Sequence, residues 1–167
     1  EYAPIGVFAL LAGLIVDLAG DDPNNIITTL TPLLYYALTV IIGLTFMVFV
    51  FYPLIIYSYT GVPINKFLKA IFPAQMLAFS TSSSAATLPL TMKRVEKNLN
   101  VSDEVTSFVC PLGATINMDG TSIHQAISAV FIAQAFGQDL TLVDQLAIVL
   151  TATLSSIGAA AVPGAGL

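Results

Sequence analysis

An apolar run extends over 105–136 and holds the sequence Asn-Met-Asp-Gly-Thr at its centre. The run is long enough to cross the ~30 Å hydrocarbon core of a bilayer as a helix. A carboxylate near the middle of a membrane is costly unless another group pairs with it. Asn117 and Asp119 lie beside Gly120, which weakens a helix, and their oxygens are typical ligands for a small hard cation. We therefore predict that this segment belongs to an ion-coupled membrane transporter.

The composition supports a multi-pass membrane protein. Of the 167 residues, 56% are hydrophobic and 9% are charged, whereas soluble domains carry about 25% charged residues. We expect membrane lipid around the chain and no nucleic-acid partner. Because the sequence begins at Glu1 and ends in the Pro- and Gly-rich stretch 162–166, we also expect a piece of a longer protein.

The positions of the basic residues predict a topology. All five flank the apolar stretch 70–92, two before it and three after it: Lys66, Lys69, Lys93, Arg94 and Lys97. Because short cytoplasmic loops are enriched in Lys and Arg, both flanks should face the cytoplasm. The segment 66–98 would then be a re-entrant hairpin, with a hydroxyl-rich tip at 80–87 followed by Pro89. A straight span over 70–92 remains the alternative.

The remaining segments complete an all-α, inverted-repeat architecture with two re-entrant hairpins and a broken transmembrane helix. We assign 1–20 to the end of one transmembrane helix, 26–60 to a second, 103–136 to the broken helix and 141–167 to one arm and the tip of a second hairpin. The helix at 26–60 exceeds the bilayer core, so it should tilt, protrude, or kink near Pro32 or Pro53. Its aromatic residues are interpreted as lipid-facing or interfacial: Tyr35, Tyr36, Phe46, Phe49, Phe51, Tyr52, Tyr57 and Tyr59.

Other functions stay open at this point. Asn117 and Asp119 could be a structural polar pair between helices. An intramembrane enzyme using Asp119 would need a second acid or base at similar depth, and no other carboxylate lies in an apolar segment. His124 is more simply a packing residue. A channel with the hairpins as a fixed filter is a further alternative.

Three motifs carry a resemblance to a known family. Ser-Ser-Ser-Ala-Ala-Thr-Leu-Pro at 82–89, Asn-Met-Asp-Gly-Thr at 117–121 and Val-Pro-Gly-Ala-Gly at 162–166 occur in the order and spacing of the glutamate transporter family. The similarity extends through nearly the whole chain, including Tyr-Ala-Pro-Ile-Gly-Val-Phe-Ala-Leu at 2–10. This family comprises sodium- or proton-coupled symporters for acidic amino acids, neutral amino acids and dicarboxylates.

The resemblance implies a homotrimer in the plasma or inner membrane, in which a mobile transport domain (here 26–167) moves against a scaffold (here 1–20) by an elevator motion. It implies contacts to a small-molecule substrate from Ser82, Ser83, Ser84, Thr121, Ala161, Val162 and Gly166. It also implies co-transported sodium ions bound by Gly113, Thr115, Asn117, Met118, Asp119, Ser156, Ile157 and Ala159.

The chain departs from the family pattern at a few positions. Ala159 and Ala161 stand where relatives often carry Thr and Gly, and Gln125 stands where proton-coupled animal relatives carry Glu. The favoured interpretation is a sodium-coupled symporter for aspartate or glutamate, not an enzyme. A proton- or sodium-coupled dicarboxylate symporter, or a neutral amino acid symporter of the same fold, is the alternative.

Overall fold

The computed structural model describes residues 13, 16, 24–159 and 161–162. The chain divides into two compact units, 1–39 and 40–167. Every regular element in the described ranges is a helix. The predicted helix end at 1–20 lies outside the described residues, except for Gly13 and Val16, which are helical. Assignment of 1–20 and 26–167 to separate functional domains therefore stays a prediction.

The first long helical run contains α1 (Asn24–Phe46), a π-helical segment (Met47–Phe51) and α2 (Tyr52–Thr60). The departure from α-geometry comes directly before Pro53, which has no N–H to donate, while Pro32 lies inside α1. The part Leu30–Thr60 has 31 residues and a mean hydropathy of 2.4, so it is long and apolar enough to cross a membrane. It ends at Gly61, whose φ of 68° allows its N–H to bond the Tyr57 carbonyl.

A helical hairpin follows, made of α3 (Ile64–Thr81) and α4 (Ser84–Leu99). Ser82 ends α3 in the left-handed region, with φ 49°, and Ser83 is extended. The buried residues of α3 are Phe67, Ala70 and Ala74. The two alanines are one helical turn apart, and such small residues let two helix backbones approach closely. Only Ser82 and Ser83 separate the two helices, so most of the tip predicted at 80–87 is helical. The re-entrant placement of 66–98 in a membrane stays a prediction.

The next pair of helices is α5 (Asp103–Ile116) and α6 (Asp119–Ala135), separated by Asn117 and Met118. Asn117 still donates its N–H to the Gly113 carbonyl at 2.9 Å, while Met118 accepts from the Ser122 N–H at 3.1 Å. The interruption therefore comes before Gly120, which is helical, and it places Asp119 in the first turn of α6.

The last described helix is α7 (Leu142–Ile157), which begins with a capping box. The Thr141 hydroxyl accepts from the Asp144 N–H, and the Asp144 carboxylate accepts from the Thr141 N–H at 3.0 Å and from its hydroxyl at 2.7 Å. These bonds favour the ionised form and lower the pKa of Asp144. The helix ends at Gly158, and of the predicted tip the structure describes Ala159, Ala161 and Val162.

Candidate functional site

The Asp119 carboxylate is the centre of the candidate site. It is half-buried at the start of α6, where the unpaired N–H groups of the first turn favour a negative charge. The Tyr52 hydroxyl, from the first residue of α2, donates to Asp119 Oδ2. One carboxylate therefore joins α2 to α6, two helices that are far apart in the chain.

Asn117 completes the polar cluster. Its hydrogen bonds are satisfied when the side-chain nitrogen faces Asp119, where it donates to Oδ2 at 3.0 Å and to Oδ1 at 3.2 Å. Asn117 and Asp119 can converge because the two residues between α5 and α6 are not helical. The result is a carboxylate with donors from an amide and from a phenol. A carboxylate offers about four lone-pair sites, so a cation could bind Asp119 in place of these donors.

The turn between α3 and α4 meets the segment after α7 through one carbonyl. The Ala161 oxygen accepts from the Ser83 hydroxyl at 3.1 Å and from the Ala85 N–H at 3.1 Å. Ser83 also caps α4, because its Oγ accepts from the Ala86 N–H at 3.2 Å. Ser83 and Ala161 are both buried. The Ala161 carbonyl thus occupies donor groups at the N-terminal end of α4, where an anion would otherwise be favoured.

A hydroxyl pair links α6 to α7. Ser122 Oγ and Ser156 Oγ are 2.6 Å apart, and the Ser156 hydroxyl donates to the Thr153 carbonyl at 2.9 Å. The hydrogen of Ser156 is therefore already engaged, so Ser122 is the donor to Ser156 Oγ. Ser156 is 2% exposed. This pair fixes the last turn of α7 against the first turns of α6.

Two clefts connect these features. One of about 420 Å³ is lined by polar groups of α6 and α7, namely Asp119, Ser122 and Thr153, and by apolar side chains that include Met47 and Phe51. The other, of about 380 Å³, brings Ser84 and Thr87 of the first hairpin beside Gly113 of α5. Ser84 and Thr87 of α4 thus lie across a cleft from α5, and Asp119 of α6 lies across a cleft from Thr153 of α7.

The other predicted residues are placed as follows. The Gly113 carbonyl accepts from the Asn117 N–H, and the Ser156 carbonyl accepts from the Ala159 N–H at 3.1 Å. Thr121 and Met118 are half-buried, and Ile157 and Val162 are exposed. Thr115 is exposed and donates its hydroxyl to the Leu112 carbonyl at 2.9 Å. Gly166 lies outside the described residues.

Sequence reasoning missed two members of the site. Tyr52 was interpreted as lipid-facing or interfacial, yet it is half-buried and hydrogen-bonded to Asp119. That interpretation was wrong for Tyr52, because a phenol away from water takes a polar partner. The sequence pattern assigned no role to Ser122. The signal available for both is a hydroxyl group within an otherwise apolar helical stretch.

The donors of the site suit a small hard cation. In the described part of the chain, no group of three or more His, Cys, Asp and Glu side chains could hold a metal ion together. The residues that converge at the break offer one carboxylate, one amide and backbone carbonyls. Oxygen donors of this kind match a hard cation rather than a transition metal, which prefers imidazole or thiolate.

The sequence of this chain is similar to a known transporter family and to individual transporters. The profile of the sodium:dicarboxylate symporter family matches residues 1–167. Excitatory amino acid transporter 1 of Ambystoma tigrinum is 45% identical over 99% of this chain and 30% of its own length. An excitatory amino acid transporter of Caenorhabditis elegans is 43% identical over 99% of this chain and 32% of its own length. Human excitatory amino acid transporter 2 is 42% identical over 99% of this chain and 28% of its own length.

These similarities cover the chain from end to end, while the chain spans about a third of the length of the relatives. The relatives are named as transporters and not as enzymes. The break at Asn117 and the serine turn at Ser82 both lie inside the matched region. The chain belongs to the sodium:dicarboxylate symporter family.

Proposed function

We propose that this chain is part of a secondary active transporter that couples sodium to the symport of an acidic amino acid, aspartate or glutamate. Asp119 carries the proposal: its carboxylate lies at a helix interruption and accepts from neighbouring donors that a cation can replace. The family description names sodium, and the relatives are named for excitatory amino acids. Transport therefore fits better than the intramembrane enzyme or the channel.

One sodium ion would bind at the break between α5 and α6. Asp119 supplies the charge that offsets removal of water from the ion, and Asn117, Met118 and Gly113 supply further oxygens. Asn117 would turn its amide so that the oxygen, rather than the nitrogen, faces the ion. The Gly113 and Met118 carbonyls each accept one backbone N–H, and the second lone pair of each could bind the ion.

A second sodium ion would bind between α5 and the end of α7. The last carbonyls of α7 are near its C-terminus, where the helix dipole favours a cation. The candidate ligands are backbone oxygens of Thr115, Ser156, Ile157 and Ala159. Replacement of a relative's Thr by Ala159 is compatible with this assignment, because a backbone carbonyl does not depend on the side chain.

The substrate would bind between the two tips. The N-terminal end of α4, with Ser82, Ser83 and Ser84, can hold a substrate carboxylate by backbone N–H groups. Thr121 would contact the substrate from α6, and Ala161, Val162 and Gly166 would cover it. Because the Ala161 carbonyl accepts from Ser83 and Ala85, an anion that enters this position must displace it. Substrate entry thus requires the second tip to move.

In the membrane, 66–98 and 141–167 would be re-entrant hairpins that enter from opposite faces, with the basic ends of the first on the cytoplasmic side. The whole protein would be a homotrimer in the plasma or inner membrane, surrounded by lipid, with the transport domain moving as an elevator. Exposed apolar side chains along Leu30–Thr60 support a surface covered by lipid or by another part of the protein.

Replacement of Asp119 tests the proposal. Asp119→Asn in the intact protein keeps the side-chain shape and removes the charge, so sodium-dependent substrate binding should be abolished. Asp139→Asn is the matched control, because it removes an exposed carboxylate after α6; it should bind as the wild type does. Isothermal titration with sodium and substrate would measure both. Wild-type sodium affinity in Asp119→Asn would show that this carboxylate is a structural link between helices.

A further inference from the structure

Tyr52 makes an unusual contact for a residue of a long apolar helix. Its hydroxyl donates to Asp119 Oδ2, and the ring is half-buried, with the Phe51 ring edge-on at a centroid distance of 5.9 Å. Tyr52 directly follows the π-helical segment and precedes the buried Pro53. Since π-helical turns are frequent at functional sites, the backbone that positions the phenol is itself distinctive.

The phenol and a cation compete for the same atoms. A carboxylate only accepts, and its lone pairs can be used either by hydrogen-bond donors or by a metal ion. Donors to an ionised carboxylate form charge-assisted bonds, about twice as strong as neutral ones. A cation that binds Asp119 must therefore displace the hydrogen bond from the Tyr52 hydroxyl. Otherwise it shares a carboxylate that still accepts this bond and attracts the cation less strongly.

We propose that Tyr52 is a positioning residue of the Asp119 site that lowers its sodium affinity by competing as a donor. The inference rests on the proposed sodium coupling. When sodium leaves Asp119, the phenol replaces it and keeps the carboxylate between α2 and α6 from becoming an unpaired charge. Ion release is thus made easier, which a transporter needs as much as ion binding.

Two other roles for Tyr52 give different results. If the phenol oxygen were a sodium ligand, its removal would weaken sodium binding. If Tyr52 only tethered α2 to α6, its removal would lower stability and leave the sodium affinity unchanged. The competing-donor role alone predicts tighter sodium binding after the hydroxyl is removed.

The test is Tyr52→Phe in the intact protein, with sodium binding measured by isothermal titration and by the dependence of thermal stability on sodium concentration. A hydrogen bond to a charged group changes an equilibrium by roughly tenfold or more, so sodium should bind roughly tenfold more tightly. Tyr52→Leu, which removes the same hydroxyl with a different shape, should shift the affinity in the same direction.

Tyr57→Phe is the matched control. Tyr57 lies in the same helix, its side chain is 52% exposed, and removal of its hydroxyl should leave sodium affinity unchanged. Unchanged or weaker sodium binding in both Tyr52 variants, with a wild type that binds sodium, would overturn the inference and leave the proposed function standing. A wild-type protein that does not bind sodium would instead remove the proposed function, and this inference with it.

Discussion

Within the described residues, hydroxyl groups link separate segments of the chain at several places, among them Tyr52 with Asp119, Ser122 with Ser156, and Ser83 with the Ala161 carbonyl. Lipid offers no hydrogen bonds, so polar groups at membrane depth need protein or bound ligand as partners. In the proposed transport cycle, an ion at Asp119 would replace the Tyr52 contact, and a substrate carboxylate would replace the contact between Ser83 and Ala161. These residues would then both link segments of the protein and line its binding site.

Ser83→Ala tests the contact between the tips. It removes the cap of α4 and a donor to Ala161, and loss of such a cap costs about 1 kcal/mol. The first turn of α4 should open more often, so amide hydrogen exchange at Ala85 and Ala86 should be roughly fivefold faster. Hydrogen exchange with mass spectrometry on the intact protein measures this.

Ser80→Ala is the control for that variant, since the Ser80 hydroxyl is exposed and donates to the Leu77 carbonyl of its own helix. It should leave exchange at Ala85 and Ala86 unchanged. Equal exchange in Ser83→Ala and the wild type would mean that the tips are not held by this hydroxyl.

The residues at the break could be predicted from sequence because local rules apply to them. An Asn and an Asp are unexpected inside an apolar run, and this can be recognised from the neighbouring residues alone. Tyr52 could not be predicted in the same way. Its partner lies 67 positions away in the chain, and helical periodicity indicates which face a residue occupies but not what that face meets.

At the scale of the elements, the helix ends depend on local sequence signals. Gly61 ends α2, and Pro63 precedes the first residue of α3. Ser82 and Ser83 separate α3 from α4, and Thr141 with Asp144 caps the start of α7. These residues act through their own backbone conformation or nearest N–H groups. The position of each helix in a bilayer depends on lipid and on other parts of the protein, so the re-entrant topology remains a prediction.

Cysteine labelling tests that topology. Lys69 and Lys93 are exposed and lie in the two arms of the α3–α4 hairpin, away from its serine turn. Lys69→Cys and Lys93→Cys, each in a background with Cys110 replaced by Ser, should react with a membrane-impermeant thiol reagent from the cytoplasmic side. The Cys110-free background without a new cysteine is the control. Labelling of the two positions from opposite sides would restore the straight span over 70–92.

At the scale of the whole molecule, the proposed function makes the substrate cover and the ion sites a coupled system. The end of α7 would offer carbonyls to a sodium ion, and the Ala161 carbonyl just beyond it contacts Ser83 at the start of α4. An ion that orders this end of the chain would prepare the cover over the substrate. Each ligand then raises the affinity of the other by the same factor.

Titration of the intact protein with aspartate or glutamate at several fixed sodium concentrations tests the central claim most directly. A coupling of about 1–3 kcal/mol corresponds to roughly 5–150-fold per ion, so the substrate dissociation constant should fall steeply as sodium rises. Choline chloride at the same ionic strength is the control and should have no such effect. A substrate affinity that stays the same at every sodium concentration would contradict sodium-coupled symport.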